Sequence, residues 1–95
     1  MPAYLIVNIQ VNDPAAYERY KADVPALIRK HGGEYLVRGG QCDVIEGNWR
    51  PSRLVLFRFP SLEAIRALDA DPEYQPLKKL RHSVAYTESV AVEGV

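Results

Sequence analysis

The sequence predicts an α+β fold, a ferredoxin-like β-α-β-β-α-β subunit with a four-stranded antiparallel sheet and its helices on one face. Three observations lead there. A period-two apolar strand opens the chain, two helical stretches are bracketed by start and stop signals, and the segment 53–59 is apolar on both of its faces. Ninety-five residues make one domain, 1–95, with no linker or low-complexity tract.

From Ala3 to Asn12 the residues Leu5, Val7, Ile9 and Val11 alternate with Tyr4, Ile6, Asn8 and Gln10, which gives the first strand. Asp13-Pro14 starts a helix, because the aspartate accepts from free backbone N–H groups and the proline sits where its missing donor costs nothing. Tyr17, Tyr20, Val24, Leu27, Ile28 and His31 then recur at helical spacing up to Gly32-Gly33, where glycine reaches the left-handed conformation that ends a helix. Pro25 removes a hydrogen bond inside this helix and is expected to kink it or split it near Asp23.

The second strand covers Glu34 to Arg38, and Gln41 to Glu46 is expected to continue it past the bend at Gly39-Gly40. Arg53 to Phe59 forms the third strand, with Leu54, Leu56 and Arg58 on one face and Val55, Phe57 and Phe59 on the other, so both faces need cover. Ser61 caps a helix carrying Leu62, Ile65 and Leu68. Asp71-Pro72 restarts a helix carrying Leu77 and Leu80, and Tyr86 to Val92 closes the sheet. In this topology the helices cover one face, so the apolar residues of the other call for a second copy of the chain. Small chains also bury only ~60–65% of their unfolded surface, which makes a homodimer the expected state.

Composition excludes several classes. The 12 basic and 12 acidic side chains cancel, so no overall field draws the chain to nucleic acid or to an anionic membrane. No apolar stretch approaches the ~20 residues that cross a bilayer. The single Cys42 forms no internal disulfide, and Met1-Pro2-Ala3-Tyr4 has no basic region leading into a long apolar run, so a cytoplasmic location is expected. Two histidines and one cysteine without metal-ligand spacing give no closed zinc site, and no phosphate loop, dinucleotide fingerprint or nucleophile elbow is present; the expectation is no metal and no cofactor.

The candidate site residues each have two readings. Arg38, beside two glycines at a strand end, has a donor fork suited to a planar anion, or it pairs with Glu34 or Glu46. Arg58 shares a face with Leu54 and Leu56, as an interior anion ligand or as a side chain reaching out from the strand end. Asn8 orients a substrate oxygen or is an amide satisfied by backbone. Tyr17 and Tyr20 share a helical face and line a pocket, or serve as core aromatics. Trp49, in the loop Gly47-Asn48-Trp49-Arg50-Pro51-Ser52, closes a pocket or packs at the dimer interface. His82 and His31 are of the residue type suited to proton transfer near neutrality and the first to weigh as a general base, yet both stand where a cation favours a helix C-terminus. The Lys78, Lys79, Arg81 cluster reads as a solvated helix end.

Taken in order, Asp13-Pro14 with Tyr17 and Tyr20, Gly32-Gly33-Glu34-Tyr35-Leu36-Val37-Arg38-Gly39-Gly40, Glu46-Gly47-Asn48-Trp49-Arg50-Pro51-Ser52-Arg53, Phe59-Pro60-Ser61, Glu73-Tyr74-Gln75 and Glu93-Gly94 resemble the domain-of-unknown-function family numbered 1330 over essentially the whole chain. The resemblance implies the dimeric α/β-barrel superfamily, whose relatives include cofactor-independent monooxygenases, haem-degrading enzymes, lactone isomerases and ligand-binding regulatory domains. It also marks two departures: Arg58 stands where the family pattern has a glutamate before Phe-Pro-Ser, and Leu68 stands for a tryptophan.

The leading expectation is a homodimer with one small-molecule pocket per subunit, lined by Asn8, Tyr17, Arg38, Trp49 and Arg58, with Arg58 and His82 as catalytic candidates of an isomerase or oxygenase that needs no bound cofactor. A non-catalytic ligand-binding or stress-related dimer is the second reading. Haem binding is the third, implied by the superfamily and resting on His82 and Asn8.

Overall fold

A computed structural model describes residues 1–95. The elements are β1 (Ala3–Val11), α1 (Pro14–Lys30), β2 (Glu34–Arg38), β3 (Leu54–Phe59), α2 (Leu62–Ala70), α3 (Gln75–Val84) and β4 (Ala85–Glu93). They build a four-stranded sheet in the order β2-β3-β1-β4, with every neighbouring pair antiparallel. This is the ferredoxin-like arrangement, its second helix divided into two pieces.

The start of α1 follows from its sequence: Asp13 accepts a hydrogen bond from the Ala16 N–H at 3.2 Å and Pro14 occupies the first turn. Of the expected kink or split at Pro25, the split does not occur, and the helix runs unbroken through the proline. A proline inside a helix costs ~3 kcal/mol, but burial of an aliphatic or aromatic side chain returns roughly 1.5–3 kcal/mol each. Tyr17, Tyr20, Val24, Leu27 and Ile28, on both sides of the proline, are all buried. At the far end Gly32 has φ +79, and the Gly33 N–H bonds the Ile28 carbonyl at 2.9 Å. Gly33 is needed for space: a Cβ there would lie 2.6 Å from the Phe59 ring and 2.8 Å from Ile28.

Two further expectations are corrected. Residues 41–46 form no strand and are exposed, because the chain leaves edge strand β2 at the positive-φ Gly39 and finds no neighbour to pair with. The restart at Asp71-Pro72 is a turn, and α3 begins at Gln75. The Asp71 carboxylate, instead of capping a helix, accepts from Lys30 Nζ at 2.8 Å, His31 Nε2 at 2.7 Å and the Glu73 N–H at 2.9 Å. His31 is thereby committed to joining the end of α1 to the α2–α3 turn.

Register sorts the side chains by face. Val7 and Ile9 of β1 with Val55, Phe57 and Phe59 of β3 point to the helices and form the core with the α1 stripe, Ile65, Leu68 and Tyr74. Ile6 lies across from Leu56 on one side and Val90 on the other, and Tyr4 sits beside Arg58 and Val92, all on the opposite face. No helix covers that face: Tyr86, Val90 and Val92 are 61%, 59% and 49% exposed, and the molecule is only 16 Å through its thinnest direction.

Candidate functional site

A cavity of about 350 Å³ opens between the helix layer and the sheet. Its floor is the inward row of the central strands, including Val7, Ile9, Val55 and Phe57, and its roof is the α1 stripe with Ile65, Leu68 and Tyr74. Aromatic rings set its shape. Tyr17 and Tyr20 stack with centroids 5.4 Å apart, and Tyr35 tilts against Phe57 at 4.6 Å. The Tyr20 and Tyr74 hydroxyls meet at 3.0 Å and satisfy each other in a buried setting.

The polar lining is dominated by cations: Lys21, Arg38, Arg53, Arg66 and Arg81 against the single carboxylate Asp69. Asp69 is held by Lys78 at 2.8 Å and Lys21 by Glu18 at 3.2 Å, whereas none of the four arginines makes an ion pair. Arg38 lies over the Tyr35 ring at 4.3 Å and Arg81 over the Tyr20 ring at 5.9 Å, contacts that hold the guanidiniums while leaving their edges free. The Nε atoms of Arg53 and Arg81 and the Thr87 hydroxyl are buried without a hydrogen-bond partner.

Local structure explains how Arg53 gets there. Asn8 Oδ1 accepts from the backbone N–H groups of Ser52 at 2.9 Å and Arg53 at 3.4 Å, and the Ile9 N–H bonds the Arg53 carbonyl at 2.9 Å. The guanidinium then lies against Gly39, where a Cβ would come within 2.6 Å of Arg53 Cζ. Gly39, at φ +73, therefore serves both the turn after β2 and the approach of this side chain.

Burial raises the Tyr17 phenol above its ordinary value against the opposing pull of the Arg53, Arg81 and Arg38 charges. Burial, then the neighbouring Tyr74, raises Tyr20 strongly; burial raises Tyr35 against Arg38. At neutral pH these phenols keep their protons and act as hydrogen-bond donors, not bases.

The five residues predicted to line one pocket fall in three places. Tyr17 and Arg38 line the cavity. Asn8 and Trp49 meet at a shallow depression on the open face with Ile6, Glu88 and Val90; Trp49 is 58% exposed, and the Asn8 oxygen serves backbone donors. Arg58 is half exposed on the open face and pairs with Glu34 at 3.6 Å, because its parity along β3 is that of Leu54 and Leu56. His82 is exposed on α3, on the other side of the sheet from Asn8, so the two do not converge on a common ligand. No group of three or more His, Cys, Asp or Glu side chains comes together.

Sequence reading missed Arg53, Arg81, Tyr74 and Thr87. Arg53 was legible in principle, since it shares the parity of Val55, Phe57 and Phe59. Arg81 is four residues before Ala85, in a run where Lys79 and His82 face water, and only the packing of α3 beside α1 turns it inward.

The chain resembles several solved structures. A protein of unknown function from Rhodopseudomonas palustris, RPA0582, superposes with a TM-score of 0.81 at 16% identity over 99% of this chain and 82% of that one. SnoaB from Streptomyces nogalater, a cofactor-independent oxygenase, gives 0.68 at 13% identity over 99% and 93%. A dimeric ferredoxin-like protein of unknown function from Jannaschia gives 0.65 at 13% identity over 99% and 100%. At such identities the likeness establishes the fold alone. Comparison with curated proteins finds no match. Residues 2–95 match the domain of unknown function DUF1330, and the chain belongs to that family.

Proposed function

We propose that this protein is a homodimer that binds a small organic molecule in the cavity between its helices and its sheet. The observation that carries the reading is the cavity itself: about 350 Å³, walled by aromatic and aliphatic side chains, with buried donors on Arg53, Arg81 and Thr87 that nothing in the chain satisfies. The open face supports self-association, since Tyr4, Ile6, Leu56, Val90 and Val92 form an apolar strip that a second sheet would cover. A relative of the same fold is dimeric, which favours the same arrangement here.

The sole tryptophan separates the sites. Trp49 stands on the open face, so a ligand in the cavity leaves its emission nearly unchanged while shifting the NMR resonances of Tyr17, Tyr20 and Thr87. Ligands that perturb only Trp49 and Asn8 would overturn the cavity assignment. Ile6→Asp places a charge in the apolar strip and is expected to give a monomer by sedimentation; a monomeric parent protein would refute the dimer.

A catalytic reading, as an isomerase or an oxygenase that uses no bound cofactor, draws support from the fold shared with SnoaB and from arginines able to stabilise an enolate. Such chemistry also needs a base. The cavity offers only protonated phenols and an Asp69 already paired with Lys78, so the geometry favours binding over turnover.

A further inference from the structure

The whole chain is electrically neutral, yet its cavity is not. Several cations elsewhere are matched: Arg19 with Asp23, Lys30 with Asp71 and Glu73, Arg58 with Glu34. Inside, Arg53 and Arg81 keep buried Nε–H donors with no acceptor, and Thr87 of the same lining keeps a buried hydroxyl that is likewise unpartnered. An unsatisfied buried donor costs about 1–3 kcal/mol, more when charged. A carboxylate presents two oxygens with about four lone-pair positions in one plane, the geometry a guanidinium edge takes best. The rest of the lining specifies the body that such a group would be attached to. Tyr17 stacks on Tyr20, and Tyr35 and Phe57 add further ring surface, with aliphatic walls from Val7, Ile9, Val55, Ile65 and Leu68. Flat apolar surfaces of this kind favour an aromatic ring.

Resting on the cavity reading above, we infer that the ligand is an aromatic carboxylate whose carboxyl group is held between Arg53 and Arg81, with the Thr87 hydroxyl as a further donor and the ring lying among Tyr17, Tyr35 and Phe57. Arg38 and Arg66, exposed at the same cavity, raise the local concentration of anions and guide entry. Gly39 is a positioning residue in this arrangement, because any side chain there displaces the Arg53 guanidinium.

The test is isothermal titration of the intact protein with 2-naphthoate, its neutral isostere 2-naphthamide, octanoate and inorganic phosphate, with NMR shifts reporting the place of binding. Naphthoate is expected to bind at least tenfold more tightly than naphthamide, and Arg53→Gln or Arg81→Gln to weaken naphthoate roughly tenfold while leaving naphthamide unchanged, the size of one lost charge-assisted hydrogen bond. Arg19→Gln, on the outer surface, leaves both affinities as they were. Equal binding of naphthoate and naphthamide in the cavity overturns the carboxylate inference and leaves the cavity assignment standing. Tighter binding of octanoate than naphthoate overturns the aromatic part, and binding of phosphate alone overturns both parts. Failure of every probe to bind or to shift a cavity resonance overturns this inference and the proposed site together.

Discussion

The Tyr20–Tyr74 hydroxyl pair permits a test whose size is set by the structure. The two residues are 8% and 7% exposed, their oxygens are 3.0 Å apart, and neither hydroxyl has another protein partner. Tyr20→Phe deletes one oxygen and keeps the ring, so the stack on Tyr17 and the contact under Arg81 survive. What is left is a buried Tyr74 hydroxyl with nothing to bond, at a cost of about 1–3 kcal/mol. A domain of this size loses roughly 4–8 °C of melting temperature per kcal/mol. Tyr74→Phe should cost a similar amount. The double variant removes both hydroxyls together and should be no worse than either single change, since replacing both partners by apolar groups of the same shape is nearly neutral. Urea denaturation of the four proteins gives the coupling energy directly, expected at about 1 kcal/mol or more. Strict additivity would refute the reasoning and mean that each hydroxyl finds cavity water instead of the other.

Three further outcomes follow from single contacts. The Tyr20 phenol is raised in the folded state, chiefly by burial; its contribution to stability is therefore complete below the ordinary tyrosine value of about 10 and lost as pH rises above it, by up to ~1.4 kcal/mol per pH unit, and Tyr20→Phe should flatten that alkaline limb in pH-dependent urea melts. Gly33→Ala drives a methyl group into Phe59 and Ile28 and should destabilise by about 1–3 kcal/mol, with the Phe59→Leu background partly relieving the loss in a double-mutant cycle. Hydrogen bonds from Lys30, His31 and the Glu73 N–H hold the Asp71 carboxyl well below the usual carboxylate range, so its stabilisation is complete above about pH 4 and is lost as pH falls toward the folded value. Asp71→Asn should lower the melting temperature at pH 7 and give a flatter acid limb.

The fold was legible because local signals agree: alternation in β1, the Asp13-Pro14 start, the glycine pair after α1 and the Ser61 cap, where the Ala64 N–H donates to the hydroxyl at 3.1 Å. The departures fell where a tertiary effect outweighs a local one, the absent split at Pro25 among them. Pro25 is tolerated because buried neighbours on both sides hold the helix, and Asp71 is taken by α1 side chains that no local reading of its own segment reveals. The lining of the candidate cavity was legible in part. Tyr17 comes from helical periodicity and Arg38 from its place among glycines, but facing in a strand is a matter of parity, and Arg58 was placed among ligands although it shares the parity of the open face. Arg53, two residues before buried Val55, has the opposite assignment. Asn8 bears on the cavity indirectly, its side-chain oxygen accepting from the Arg53 N–H just ahead of β3.

Net charge carries no information about the cavity, and the reason is physical. A sum over 12 cations and 12 anions describes the field far from the molecule, where screening over ~10 Å at 0.1 M salt averages the surface. A cavity between a helix layer and a sheet lies inside that distance and inside a lower dielectric, so it responds to the few charges that line it. On the outer surface Glu34 and Asp23 neutralise Arg58 and Arg19, and at the cavity Glu18 holds Lys21 while Asp69 is taken by Lys78. The chain leaves Arg53 and Arg81 without a partner within. The same zero that argues against drawing a polyanion to the surface is therefore compatible with strong selection for one negative charge inside. That selection needs no excess of basic residues, only a fold that sorts them by parity and by helix face.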